Sequence, residues 1–211
     1  MSRSPGSKQR IVVACTGSSR SLAAVRRLVS TFDAEVVTVT LDIGQPRELE
    51  GVRQAALAAG AVRAHVIDAR EEFARDCIVA VRQEQPPTAR PLIARKLAEV
   101  AHIEGAAVAH ADGDDDVEAT LWERSPRTPE LNEPARLEIA FESGLPVAVN
   151  GVPMTLTELI ESVATIAEAP AAVVFQAAHE ALGADASRVS GATVCLELFK
   201  GRHRVLSAHH S

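Results

Sequence analysis

Residues 11–21 read I-V-V-A-C-T-G-S-S-R-S, and this passage constrains the fold more than any other. Arg10 to Cys15 is the length of a buried strand. Arg20 to Phe32 then places Leu22, Val25, Leu28 and Val29 on one helical stripe. A strand that enters a Gly/Ser turn and leaves as a helix aims backbone N–H groups at one point, the geometry that suits a phosphate. Thr16, Ser18, Ser19 and Ser21 add hydroxyls, and Arg20 adds a forked cation. The plainer reading is a serine-capped turn without a ligand, since Gly17 is the one glycine in the loop.

The alternation continues. Ala34 to Asp42 reads as a second strand, Glu48 to Ala59 as a helix stopped by Gly60, and Val62 to Asp68 as a third strand. Ala69 to Gln83 is helical up to Pro86 and Pro87, Pro91 to Glu104 is a helix closed by Gly105, and Ala106 to His110 is a fourth strand. This β-α-β-α-β-α-β order predicts an α/β fold, with a parallel sheet covered on both faces.

The pattern changes after residue 111. Asp112 to Asp116 is acidic, and Pro126 to Pro134 reads as a linker. Arg136 to Phe141 and Leu145 to Asn150 alternate around Ser143-Gly144, a hairpin signal. Thr155 to Ala167 is a helix with Thr155 or Thr157 as its cap, and Pro170 to Leu182 is another. Ala192 to Lys200 and Arg202 to Ser207 form a closing hairpin. Residues 8–118 are therefore expected to form a nucleotide-binding-like α/β domain, and 119–211 a reduced α+β region.

Charge and cysteine usage narrow the partners. A net charge of −6 argues against nucleic acid and anionic membranes, whose affinity rests on Lys and Arg. No apolar run reaches membrane-spanning length. Cys15, Cys77 and Cys195 are odd in number and widely spaced, which suits a reducing cytoplasm.

Several stretches in order resemble argininosuccinate synthase, an ATP-dependent ligase with a pyrophosphatase-type (PP) loop. V-T-V-T-L-D-I-G-Q at Val37–Gln45 resembles V-T-A-D-L-G-Q. D-A-R-E-E-F-A-R-D at Asp68–Asp76 resembles D-x-R-E-E-F-x-x-D. A-R-P-L-I-A-R-K-L at Ala89–Leu97 is similar to A-R-P-L-I-A-K-K-L, and L-W-E-R-S at Leu121–Ser125 to L-W-G-R-S. Phe141–Gly151 resembles F-x-x-G-x-P-V-x-x-N-G, and Glu168–His179 an E-A-P-A-A segment followed by an A-H pair. The resemblance implies a PP-loop domain carrying a smaller synthetase region. In the parent reaction ATP adenylates citrulline, and the aspartate amine then displaces AMP.

The departures fall on the chemistry. The family loop S-G-G-x-D-S/T is here T-G-S-S-R-S, with Ser18 for the second glycine and Arg20 for the aspartate. Arg20 reverses a charge beside the triphosphate and would repel Mg²⁺. The family's T-G-K-G-N-D-Q motif shrinks to A-D-G-D-D-D-V at Ala111–Val117, the citrulline segment before Ala89 is missing, and the chain is about half the usual family length. The resemblance therefore implies a nucleotide, phosphate or small acidic metabolite as ligand, ATP among the candidates, with the ligase reaction diverged or lost. It places the phosphate at Thr16, Gly17, Ser18, Ser19, Arg20 and Ser21, the nucleotide edge at Asp42, Gly44 and Gln45, and substrate contacts at Arg90, Asp116 and Ser125. Leu41, where the family has a small residue, would crowd an adenine.

Two other functions stay open. Cys15 ends a strand beside a helix N-terminus and Arg20, surroundings that lower a thiol pKa and suit a sulfur carrier; the plain reading is a small buried residue. A non-catalytic partner or regulator, homo-oligomeric or assembled with a full-length synthase or pathway enzyme, is the other. Its argument is apolar surface at Val173, Val174 and Phe175 that needs cover. His110 and Asp112–Asp116 match no calcium loop. His179 is expected to pack rather than catalyse.

Overall fold

A computed structural model describes residues 8–45, 48–83, 85, 87–109, 133–183, 191–200 and 202–210. These form two compact units. One runs up to Ala69 and resumes at Ala89; the other comprises Arg70–Thr88 and the described residues from Glu133 onward.

The first unit contains β1 (Arg10–Ala14), α1 (Ser19–Phe32), β2 (Glu35–Asp42), α2 (Leu49–Ala58), β3 (Arg63–Asp68), α4 (Arg90–Glu104) and β4 (Ala107–Ala109). Its four strands are parallel in the order β3-β2-β1-β4. Alternate residues of β1 face opposite ways, as the pleat requires. Ile11, Val13 and Val36 pack with Val25 and Leu28 of α1, while Cys15 and Ala64 meet Val52 and Ala56 of α2. On the other face Val12, Val37 and Val39 meet Leu97, Val100 and Ala101 of α4. Both faces are covered, so the strands read as apolar runs.

Strand N-termini and helix C-termini share the amino edge of this sheet. There the Glu104 carboxylate, 4% exposed, accepts from Arg63 at 2.9 Å and lies 3.4 Å from Arg10 and 3.3 Å from His65. The hydrogen bond from Arg63 leads the interactions that hold the Glu104 pKa below its ordinary value. This network fixes α4 on the sheet and directs its N-terminus to the carboxyl edge.

The second unit contains α3 (Arg70–Arg82), β5 (Ala135–Glu142), β6 (Leu145–Val149), β7 (Val152–Pro153), α5 (Leu156–Ala167), α6 (Ala171–Leu182), β8 (Ala192–Phe199) and β9 (Arg202–His210). Its antiparallel sheet has the order β7-β6-β5-β8-β9. α5 and α6 pack on the sheet, and α3 packs on α5 and α6. Leu137, Ile139, Phe141, Val194, Leu196 and Leu198 supply the sheet's buried side chains, and Leu159, Val163, Val174 and Phe175 those of the helices. Each such side chain contributes about 1.5–3 kcal/mol by leaving water.

Two expectations change. The sequence order places α3 in the β-α alternation, but it packs in the second unit. Glu71, in its first turn, accepts the Thr157 N–H at 2.9 Å and the Leu156 N–H at 3.2 Å, a carboxylate on the N-terminus of α5. Burial pulls the Glu71 pKa up, but these bonds outweigh it and leave the value below that of a free carboxyl. The apolar-surface argument for oligomerisation also fails for two of its three residues. Val174 and Phe175 are buried within the unit, at 1% and 0% exposure, and Val173 alone is exposed. No described helix is long and apolar enough to cross a membrane.

Candidate functional site

Thr16–Ser18 joins β1 to α1 at the carboxyl edge of the parallel sheet. The strand order turns back at β1, between β2 and β4, and the crevice beyond the carboxyl ends there is where sheets of this type take ligands. Gly17 shapes the turn. Its φ is +76°, and a Cβ there would lie 2.8 Å from Val52 Cγ2. A side chain is excluded both by the left-handed backbone and by the buried Val52.

Ser18 is the N-cap of α1, extended at φ −67° and ψ 156°, and its hydroxyl accepts the Ser21 N–H at 3.1 Å. Thr16 donates to Ser18 Oγ at 3.1 Å, and the fully buried Ser21 hydroxyl donates to the Ser18 carbonyl at 3.1 Å. The loop hydroxyls thus bond chiefly to one another. Ser19 and Arg20 are the exposed members of the first turn. That turn contains no acid, so the positive end of the helix dipole and the Arg20 charge add together there. The residues fit a phosphate group through the helix end and Arg20, and not through the hydroxyls of Ser18 and Ser21.

Cys15 is 2% exposed, packed with Val52 and Ala56, and its sulfur lies 3.7 Å from the Ser21 hydroxyl. Thr40 donates to its carbonyl at 2.8 Å. These are the surroundings of a small core residue, with no open approach for a sulfur donor.

The loop after β2 lies on the same edge. Asp42 accepts the Gly44 N–H at 3.0 Å, while Gln45 accepts the Ile43 N–H at 2.8 Å and donates to the Leu41 carbonyl at 2.7 Å. Asp42 and Gln45 build this turn. Leu41 packs in the cluster on the α4 face. Arg90 opens α4 and is exposed, which puts it at the carboxyl edge too, since α4 ends on the amino edge. Asp116 and Ser125 lie outside the described residues, as do His110 and Asp112–Asp116. Asp68, which ends β3 in register with Asp42, adds a carboxylate to this edge. The sequence reading did not mark it as a site residue, although its place at the end of a β-strand run was a usable signal.

His179 packs its ring on Phe141, with centroids 5.3 Å apart. Burial, helped by the Arg82 charge, lowers its pKa to about 4. It belongs to the second unit, whereas the loop belongs to the first.

Comparison with known proteins agrees with this reading of the fold. A family profile described as the arginosuccinate synthase N-terminal HUP domain matches residues 10–126. Argininosuccinate synthase of Oleidesulfovibrio alaskensis is 43% identical over 113 residues, covering 48% of this chain and 28% of that protein. Argininosuccinate synthase of Saccharolobus solfataricus is 33% identical over 174 residues, covering 71% of this chain and 44% of that protein. The chain thus spans less than half the length of these curated relatives. A universal stress protein solved in complex with cAMP is 21% identical over 50% of this chain and 98% of that one, at a TM-score of 0.26.

Proposed function

The chain belongs to the argininosuccinate synthase family through its N-terminal HUP domain, and from that premise we propose that it binds a nucleotide or another small phosphate-bearing molecule at the β1–α1 loop. The observation that carries the reading is the first turn of α1. It lies at the carboxyl edge of the parallel sheet, has no acid, and exposes Ser19 and Arg20. Arg20 receives the phosphate as a fork, and the helix end supplies the remaining charge.

Arg20 also stands in for a cation, so binding is independent of Mg²⁺. The ligase chemistry of the relatives is diverged here. The hydroxyls of Ser18 and Ser21 are bonded inward, and the thiol of Cys15 is buried, so the loop offers a binding surface and no nucleophile. Any reaction retained falls in the class of ATP-dependent carbon–nitrogen ligation.

Calorimetric titration of ATP, AMP and pyrophosphate, with and without Mg²⁺, tests this. Binding of at least one is expected, weakened about tenfold or more by Arg20→Ala, because a charged hydrogen bond contributes about 1.5–3 kcal/mol. No binding of any of the three would defeat the reading.

A further inference from the structure

The hydrogen bonds of Thr16, Ser18 and Ser21 run among themselves and tie the β1–α1 turn to its own helix. The turn and helix end must also be held on the sheet, or Arg20 has no fixed direction. From β2, Thr40 donates to the Cys15 carbonyl at 2.8 Å and fixes the chain just before the turn. From α2 the hold on the turn itself is steric.

Val52 lies in the first turn of α2 and is buried. Its Cγ2, Cγ1 and Cβ stand 2.8, 3.1 and 3.3 Å from where a Cβ on Gly17 would lie. A long flexible side chain could turn aside, but a β-branched one is stiff at χ1 and stays in place. Val52 also packs with Cys15 and Ala56, and Leu22 of α1 packs against the same cluster. One small cluster thus joins the chain before the turn, the glycine within it and the first turn of the helix after it. Leu22 follows Arg20 by two positions, about 200° round the helix, so holding Leu22 inward presents Arg20 outward. Arg20 is exposed.

We propose that Val52 is a positioning residue for the anion site of the β1–α1 loop, and this rests on the phosphate reading above. Its branched side chain sets the height of Gly17 over α2. Through the cluster with Leu22 it sets the roll of the first turn of α1, and so the direction of Arg20 and of the helix end. The shape of Val52 is what acts on the ligand, and its apolar burial acts on stability. The two contributions are separable by substitution.

The test titrates the full chain with ATP, AMP and pyrophosphate by calorimetry and follows urea unfolding of the same samples. Val52→Ala is expected to weaken every ligand the native chain binds, by about tenfold or more, the scale of coupling between residues in contact. Val52→Thr keeps the branched outline but buries a hydroxyl, so it should unfold at lower urea yet bind within about twofold of the native chain. Val100→Ala, in the core on the α4 face, should lower the urea midpoint and leave binding alone. Binding that tracks stability through all three variants would overturn the role. A second measurement needs no ligand. Gly17→Ala should lower the urea midpoint less when Val52 is already alanine, since two of the three near carbons are then gone; equal losses in both backgrounds would overturn the contact. If the native chain binds none of the three ligands, the phosphate reading fails and this role with it. If the native chain binds and Val52→Ala binds equally, this role alone fails.

Discussion

The N-termini of α1 and α5, one in each unit, begin with the same unmet backbone N–H groups and meet them differently. At α5, Thr155 and Glu158 form a capping box, and Glu71 reaches from α3 to take the N–H groups of Leu156 and Thr157. The helix end is filled by the protein's own carboxylate. At α1, Ser18 takes one N–H, no acid follows, and Arg20 adds a positive charge. A helix end completed from within is a structural joint, whereas one whose first turn holds no acid suits the anion proposed above. The contrast belongs to α1 and not to its whole unit, because α2 in the same unit is capped by Glu48, which accepts the N–H groups of Glu50 and Gly51.

The largest disruption of this contrast is expected from Gly17→Ala. The new Cβ meets Val52 Cγ2 at 2.8 Å in a left-handed backbone. The expected loss is about 2–4 kcal/mol in urea unfolding, the sum of backbone and overpacking costs, together with any ligand binding by the loop.

His179 gives a pH-dependent break in the other unit. Its folded pKa of about 4 lies below the ordinary 6.5, so the unfolded chain holds more protons between those values and stability falls as pH drops through that window. Allowing for its partial exposure, the loss is about 2 kcal/mol at most. His179→Leu should flatten the dependence of stability on pH between 6.5 and 4. An unchanged slope in thermal melts would assign it to other groups.

Glu71→Ala leaves the N–H groups of Leu156 and Thr157 at the α5 end without the Glu71 carboxylate. It should cost about 1–2 kcal/mol as a lost helix cap and leave loop binding unchanged, read by unfolding and by calorimetry. Arg20→Glu makes the reverse exchange and gives α1 the acid that α5 has. It should stabilise the chain by about 0.3–1 kcal/mol while abolishing anion binding. Stability and binding that moved in the same direction would remove the distinction.

Much of the fold was legible because periodicity is local. The apolar run at Ile11–Val13, the β-branched run at Val36–Thr40 and the stops at Gly60 and Gly105 mark elements that the structure contains. The helix over Arg70–Arg82 was legible as a helix, but its core was not. Phe73, Ala74, Cys77 and Ile78 form a stripe that fits either unit, and the choice depends on Glu71 meeting α5 across 86 residues of sequence. The cover over Val174 and Phe175 is equally non-local. In the loop, residue types pointed to hydroxyl donors, but their direction was hidden, because Ser18 as an N-cap turns its oxygen toward Ser21.

The most direct test is a residue-resolved titration of AMP and ATP against the isotopically labelled chain, read at backbone amides. The account predicts saturable shifts at Gly17–Ser21, with the amides of Leu156 and Thr157 unmoved. Shifts centred on the α5 first turn, or none at Gly17–Ser21, would contradict it.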